Sequence, residues 1–287
     1  MTGMTTLVMG AVAYDPKVVT IWDGFRRWFG TRGLDFDYVL YSNYERQAVD
    51  LLDGRIHAAW SSPLAWVRTR RLAESAGRRA EALVMRDTDC DLTSVVVVQA
   101  GSPVTGAAEL AGRAVAVGAV DSPQATLLPL DHLRAAGLDP GVDVEVRRFD
   151  VGVGLHGDHV GGERDAARAL AAGDVDAACM IDANLLLFAR EGILPAGSTR
   201  VVAQTSPYDH CNMTVMADGP AELTARFGEL LLAMDYADPE VRPLLDLEGL
   251  RVWRPGRVAG YGALEAAVDH SGFYDAQGNV TADDYRP

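Results

Sequence analysis

Arg55-Ile-His-Ala-Ala-Trp-Ser-Ser-Pro-Leu-Ala-Trp66 holds a complete strand-to-helix transition. His57–Trp60 is a short apolar run and reads as a strand. Ser61-Ser62-Pro63 then opens a helix, because proline in a first helical turn gives up only an N–H that the helix leaves without a partner. Working upstream, Thr6–Val12 is an apolar run, and Asp15-Pro16 starts a helix. Within that helix Val18, Trp22, Phe25 and Phe29 recur at three- and four-residue spacing as far as Gly30. Phe36–Leu40 alternates as a strand. Ser42 or Asn43 caps a second helix, with Tyr44, Ala48, Leu51 and Leu52 inward and Gly54 at its end. Strands separated by helices need crossover connections, so this order specifies a largely parallel sheet.

A second series follows. Ser94–Val98 is a β-branched, buried strand ended by the turn Gly101-Ser-Pro103. Ala114–Val117, Val144–Phe149, Ala177–Met180 and Arg200–Ala203 read as strands. Gln124–Ala136, Arg164–Ala172 and Asn184–Glu191 read as helices between them. Asn212–Met216 is a returning strand, and Ala221–Met234 and Pro239–Leu247 are helical. The polar tail from Gly272 reads as peripheral. No low-complexity linker divides the chain. The fold class is therefore α/β, with two lobes, each a mostly parallel sheet flanked by helices, and ligands are expected at a cleft.

Composition narrows the function. The net charge of −14 excludes a protein that reads a nucleic-acid backbone and disfavours an anionic membrane surface. No apolar run approaches the roughly 20 residues that cross a bilayer. Lys17 is the only lysine, so Schiff-base chemistry would rest on it alone. Cys90, Cys179 and Cys211 are too few and odd in number for a disulfide framework. The start of the chain reads directly as a first strand, and with the free cysteines this predicts a cytoplasmic location. Periplasmic or extracellular placement would follow if a leader had been removed.

Two stretches concentrate reactive side chains. His156-Gly-Asp-His-Val-Gly-Gly-Glu163 is a glycine-spaced loop between a strand and a helix, and Ser206-Pro-Tyr-Asp-His-Cys211 precedes the returning strand. Strand alternation would put Tyr208 with His210 on one face and Asp209 with Cys211 on the other. His156, His159, Glu163 and His210 (or Cys211) form a set able to hold Fe(II) or Zn(II) with open positions. Without metal, His159, Glu163 and His210 could move protons as catalytic groups. The plain alternative is a surface loop whose Glu163 serves the helix dipole, with His210 in a buried turn and Cys211 in the core. Asp182, just past the Ala177–Met180 strand, stands at a carboxyl strand end. Cys90 between Asp89 and Asp91 should have a raised thiol pKa, which argues against a nucleophile. No Gly-x-Gly-x-x-Gly, Walker or Gly-x-Ser-x-Gly motif occurs.

Taken in order, several of these segments resemble the phosphate/phosphite/phosphonate-binding family of ABC-transporter solute receptors, which have the type II periplasmic-binding-protein fold. The resemblance rests on Asn43-Tyr44 heading a helix that ends Leu-Leu-Asp-Gly54, and on the quoted stretch 55–66. It rests also on Ala108–Val117, on Asp121-Ser-Pro-Gln-Ala-Thr-Leu-Leu-Pro129 and on Gly173-Asp-Val-Asp-Ala-Ala-Cys-Met180. It implies lobe one at 1–93 plus 217–287, lobe two at 94–216, and hinge segments near 93–98 and 212–216. It implies ligand contacts from Tyr44, Ser61, Ser62, Ser122, Gln124, Ala125 and Thr126, where helix N-termini suit an anion. Asp121, His156, His159, Glu163, Asp182, Tyr208 and His210 complete the expected ligand set. Two departures stand out: Asp121-Ser-Pro-Gln-Ala replaces a Ser/Thr-rich anion loop, and Glu163 falls near the family's histidine turn. The function implied is a receptor that closes two lobes on a polar or oxyanion-bearing small molecule, with an ABC permease as partner if a leader was removed. The alternative is a cytoplasmic enzyme reusing the fold, a metal-dependent lyase or biosynthetic enzyme acting on a small polar substrate.

Overall fold

The computed structural model describes residues 6–287; the chain's first five residues, part of the start read above, lie outside the described residues. In chain order the regular elements are β1 (Leu7–Val12), α1 (Lys17–Gly30), β2 (Phe36–Tyr41), α2 (Tyr44–Leu52), β3 (Ala58–Ser61), α3 (Pro63–Ser75) and β4 (Ala80–Arg86). Then come β5 (Ser94–Gln99), β6 (Ala114–Val117), α4 (Leu128–Ala135), β7 (Glu145–Arg148), α5 (Gly161–Ala172), β8 (Ala177–Ile181), α6 (Asp182–Arg190) and β9 (Thr199–Gln204). The last are β10 (Asn212–Met216), α7 (Ala221–Leu232), α8 (Arg242–Glu248), β11 (Trp253–Pro255) and α9 (Gly262–Ser271).

The chain folds as two units. The first comprises the chain up to Cys90, Asp209–Tyr261 and Tyr274–Val280. Its sheet runs β11-β4-β10-β3-β1-β2. β1 pairs in parallel with β2 and β3, whereas β10 is antiparallel to both β3 and β4, and β11 is antiparallel to β4. One aromatic cluster lies under this sheet. Phe29 and Phe36 rings are 4.9 Å apart, Phe36 stacks on Phe227 at 5.7 Å, and Phe25 meets Trp253 edge-on at 6.2 Å. The Val18/Trp22/Phe25/Phe29 face of α1 is thus buried as its spacing predicts.

The second unit comprises Asp91–Tyr208, Gly262–Phe273 and Thr281–Pro287. Its sheet runs β7-β6-β8-β5-β9, with β6 parallel to β7 and β8, and β5 antiparallel to β8 and β9. The Val95–Val98 run is apolar throughout because both faces of β5 are covered. Val95 and Val97 join Ala166, Leu170 and Phe188 in one cluster, while Val96 and Val98 join Leu110 and Leu133 in another.

The α/β class holds, with four differences from the sequence reading. Both sheets are mixed rather than mostly parallel, because β5 and β10 run against their neighbours. β10, expected in lobe two and its hinge, is a central strand of the first unit, and β5 is internal to the second. The chain passes between the units at Cys90/Asp91 and Tyr208/Asp209 instead, and again at Tyr261/Gly262, Phe273/Tyr274 and Val280/Thr281. Strand β4 escaped notice because Ala80-Glu-Ala-Leu-Val-Met-Arg86 is composed mostly of good helix formers. Within the stretch expected in lobe one, α9 and Thr281–Pro287 join the second unit, and the tail from Gly272 is not peripheral, since Phe273, Tyr274 and Tyr285 are buried.

Phe36→Ala should lower stability by about 3–5 kcal/mol, because it opens a cavity among packed rings. Val142→Ala, at a side chain 79% exposed, should stay within about 0.5 kcal/mol. Denaturant unfolding of the two variants checks the aromatic core; equal effects would contradict it.

Candidate functional site

Register decides where the candidate residues lie. In the first unit Val12 pairs with Tyr41, and Gly10 pairs with Ala59, so β1, β2 and β3 end on one edge of the sheet. The segments that follow them carry the candidates of this unit. Asn43 caps α2, its side chain accepting from Arg46 N at 2.9 Å, and sets Tyr44 at the first helical position. Ser62 caps α3, its Oγ accepting from Ala65 N at 3.1 Å, with Pro63 next. Ser61, Ser62 and Tyr44 are all buried. Gln47 from α2 donates to the carbonyl of Trp60 at 3.2 Å, holding α2 against the end of β3.

The second unit repeats the arrangement. β6, β7 and β8 are parallel, with Val117 opposite Arg148 and Ala116 opposite Ala178, so the segments after Val117, Arg148 and Ile181 share one edge. After β6 the chain turns through Gly118–Ser122 into one π-helical turn, Pro123–Leu127, that runs on into α4. Ser122 Oγ accepts from Ala125 N at 3.2 Å, and Thr126 Oγ1 donates to the carbonyl of Ala119 at 2.8 Å. Ser62-Pro-Leu-Ala65 and Ser122-Pro-Gln-Ala125 are therefore the same device in the two units: a serine cap, a proline in the first turn, and an alanine N–H on the serine oxygen.

The histidine loop folds over this second device. Asp121 is fully buried, and its Oδ2 accepts from Gly154 N at 2.7 Å and His156 N at 3.0 Å. Burial raises the Asp121 pKa above the ordinary aspartate value, against the lowering effects of His156 and the backbone N–H groups. Gln124 donates to the carbonyl of Gly157 at 2.8 Å. Gly157 has φ +78°, and a Cβ there would lie 2.5 Å from Ser122 Oγ, so only glycine fits. His156 is held with φ +49° and its Nε2 lies 3.4 Å from the Tyr285 hydroxyl. Asp121 thus fills, from within the chain, a pair of backbone donors of the kind that receive anions.

The expected metal and catalytic sets are not assembled. Glu163 Oε2 accepts from Ile181 N at 3.1 Å and Asn184 Nδ2 at 2.7 Å, which ties α5 to the β8–α6 turn. His159 is exposed, and its Nδ1 accepts from Gly161 N at 3.2 Å. Among the described residues His156, His159 and Glu163 do not form a metal-ligand group; the one group of three that does is Asp89, His210 and Cys211. Asp182 accepts from Thr93 Oγ1 at 2.9 Å. Tyr208, buried in the second unit, shares a hydrogen bond of 2.9 Å with Ser94, and burial pushes its pKa up.

His210 and Cys211 do not obey strand alternation because regular pairing begins only at Asn212. His210 Nδ1 lies 3.1 Å from Cys211 Sγ and 3.5 Å from Asp89 Oδ1. Burial alone would raise the Asp89 carboxyl, but Arg86, reaching both oxygens at 2.6 and 2.9 Å, and His210 bring it down to about 2. Asp209 pairs with Arg257 through two bonds of 2.7 and 2.6 Å. Sequence reasoning weighed Asp89 only for its effect on Cys90, whose pKa burial raises, and missed Arg86, Arg257 and Tyr285 as partners. Arg86 stands only three residues before Asp89, whereas Arg257–Asp209 and Tyr285–His156 join segments far apart in the chain, which no local motif marks.

Two mixed α/β units, each presenting a serine-capped helix start at the carboxyl edge of its parallel strands, define a protein of the periplasmic-binding-protein class. The chain belongs to the family described as "ABC transporter, phosphonate, periplasmic substrate-binding protein", which matches residues 11–261. No curated protein matches it in sequence. Among solved structures it is similar to PhnD1 from Prochlorococcus marinus in complex with methylphosphonate, at 16% identity and a TM-score of 0.68, covering 93% of this chain and 98% of that one. A Xanthomonas citri protein bound to ATP has 19% identity and a TM-score of 0.69, with 92% and 97% covered. The periplasmic aliphatic sulphonate binding protein SsuA from Escherichia coli has 18% identity and a TM-score of 0.56, with 93% and 92% covered. The family is periplasmic by description, so the expected cytoplasmic location finds no support in it. Among the described residues no helix is long and apolar enough to cross a membrane.

Asp121→Asn tests the buried carboxylate. With its folded pKa raised, the folded state binds more protons than the unfolded one just above the ordinary aspartate range. Wild-type stability should therefore fall as pH rises through the folded pKa, and the asparagine variant should lose that fall. Unfolding midpoints of both proteins across the acid range measure it; parallel profiles would contradict the assignment.

Proposed function

We propose that this protein is the substrate-binding component of an ABC transporter and that its ligand is a small oxyanion-bearing molecule of the phosphonate class. The observation that carries this reading is the repeated Ser-Pro-x-Ala helix start, Ser62–Ala65 and Ser122–Ala125, each at the carboxyl edge of its unit's parallel strands. Beside each serine cap the first-turn N–H groups and the helix dipole favour negative charge. Such a seat needs no lysine or arginine, which reconciles anion capture with a net charge of −14. Tyr44 and Ser61 in the first unit, and Gln124, Ala125 and Thr126 in the second, line the same segments and are assigned to shaping the seats. Asp121 favours a ligand that brings a hydrogen-bond donor or a cationic group along with its oxyanion. Membership of a periplasmic family supports export of the chain and a permease partner. His159 and Glu163 serve local structural bonds, so catalysis by them has no geometric support.

Calorimetric titration with methylphosphonate, inorganic phosphate and methanesulfonate tests the reading. Saturable binding of a phosphonate is expected, with Ser62→Ala and Ser122→Ala each weakening it by about tenfold, the worth of one hydrogen bond to a charged group. Ser42→Ala, at an exposed position, should leave it unchanged. Absence of saturable binding by all three anions would overturn the proposal.

A further inference from the structure

Asp89, His210 and Cys211 converge in the first unit, where the segment after β4 meets the segment leading into β10, and all three are buried. Their ligand atoms lie within 4.8 Å of one another. One carboxylate oxygen, one imidazole nitrogen and one sulfur form a mixed donor set that suits Zn(II) and rejects the hard cations Mg(II) and Ca(II), which prefer all-oxygen shells. We propose that Asp89, His210 and Cys211 form a thiophilic transition-metal site, with Zn(II) as its preferred ion and one position left for water or an anion.

The surroundings hold the donors in place. His210 N donates to the backbone carbonyl of Asp89 at 2.8 Å, fixing the two segments in register. The Tyr261 hydroxyl donates to the His210 carbonyl at 2.8 Å and accepts from Asn212 Nδ2 at 2.9 Å. Arg86 sits beside the site but is shared between Asp89 and Glu248, at 3.2 Å from the latter. Each carboxylate oxygen carries a second lone pair, so Oδ1 of Asp89 can accept from Arg86 and still face a cation. Of the three ligands His210 is the most open, at 8% exposure, and gives the ion its way in. Binding breaks the S–H bond of Cys211, releases that proton to solvent and forms a metal–thiolate bond, so no oxidant or reductant is needed. The nearby titratable and charged groups include Arg86, Glu248, Cys90, Asp209, Arg254, Arg257 and Tyr261. Only Cys90 among them offers a competing sulfur.

The test uses the full chain, stripped of metal and kept reduced, titrated with Co(II) as a spectroscopic probe and then with Zn(II). Wild type should develop a thiolate-to-cobalt charge-transfer band in the near ultraviolet that saturates at one equivalent and is bleached by Zn(II). Cys211→Ala should abolish the band, and His210→Gln should weaken Zn(II) binding on the order of a hundredfold. Circular dichroism verifies that both variants fold. Cys90→Ala should keep both the band and the affinity. A wild-type protein without the band at one equivalent, or a band that survives Cys211→Ala, would overturn the proposal.

Discussion

Parallel pairing of β1 with β2 and β3, and of β6 with β7 and β8, is the constraint from which the rest of the structure follows. A parallel pair cannot be joined by a hairpin, so a helix must cross back over the sheet between its members. Every such helix then starts on the same edge, with its unpaired N–H groups and positive dipole end turned to that edge. Tyr44, Ser61, Ser62, Asp121, Ser122 and Gln124 have nothing in common in sequence except this consequence of strand direction. The mixed character of the sheets does not disturb it, because β10 and β5 enter antiparallel on the far side of β3 and β8.

Much of the fold was legible because the signals are local. The apolar spacing of α1, the caps at Asn43 and Ser62, and the valine run of β5 can each be read within a few residues. Strand direction at β10 was not, since an antiparallel return and a parallel crossover have the same composition. β11 is a three-residue edge strand ending in proline, too short for a pattern. For the site, the segments were legible and their chemistry was not. His156-Gly-Asp-His159 reads as a metal motif, yet its backbone serves Asp121 across a separation of more than thirty residues. Glu163 reads as reactive, yet it anchors Ile181 and Asn184.

Asp121 is a fully buried carboxylate of the second unit. A fully buried carboxylate costs stability unless donors meet it, and here Gly154 N and His156 N do so, at the price of folding the loop over Ser122 and Gln124. The loop is thus built around an internal anion beside the seat assigned to an external one. Gly157 comes so close to Ser122 that a side chain there would meet the serine hydroxyl.

The most direct measurement is a crystal structure of the full chain grown with methylphosphonate. The account predicts phosphonate oxygens within hydrogen-bond distance of Ser62 or Ser122 and the first-turn N–H groups of the helices they cap. Methylphosphonate bound only away from both serine-capped termini would contradict it.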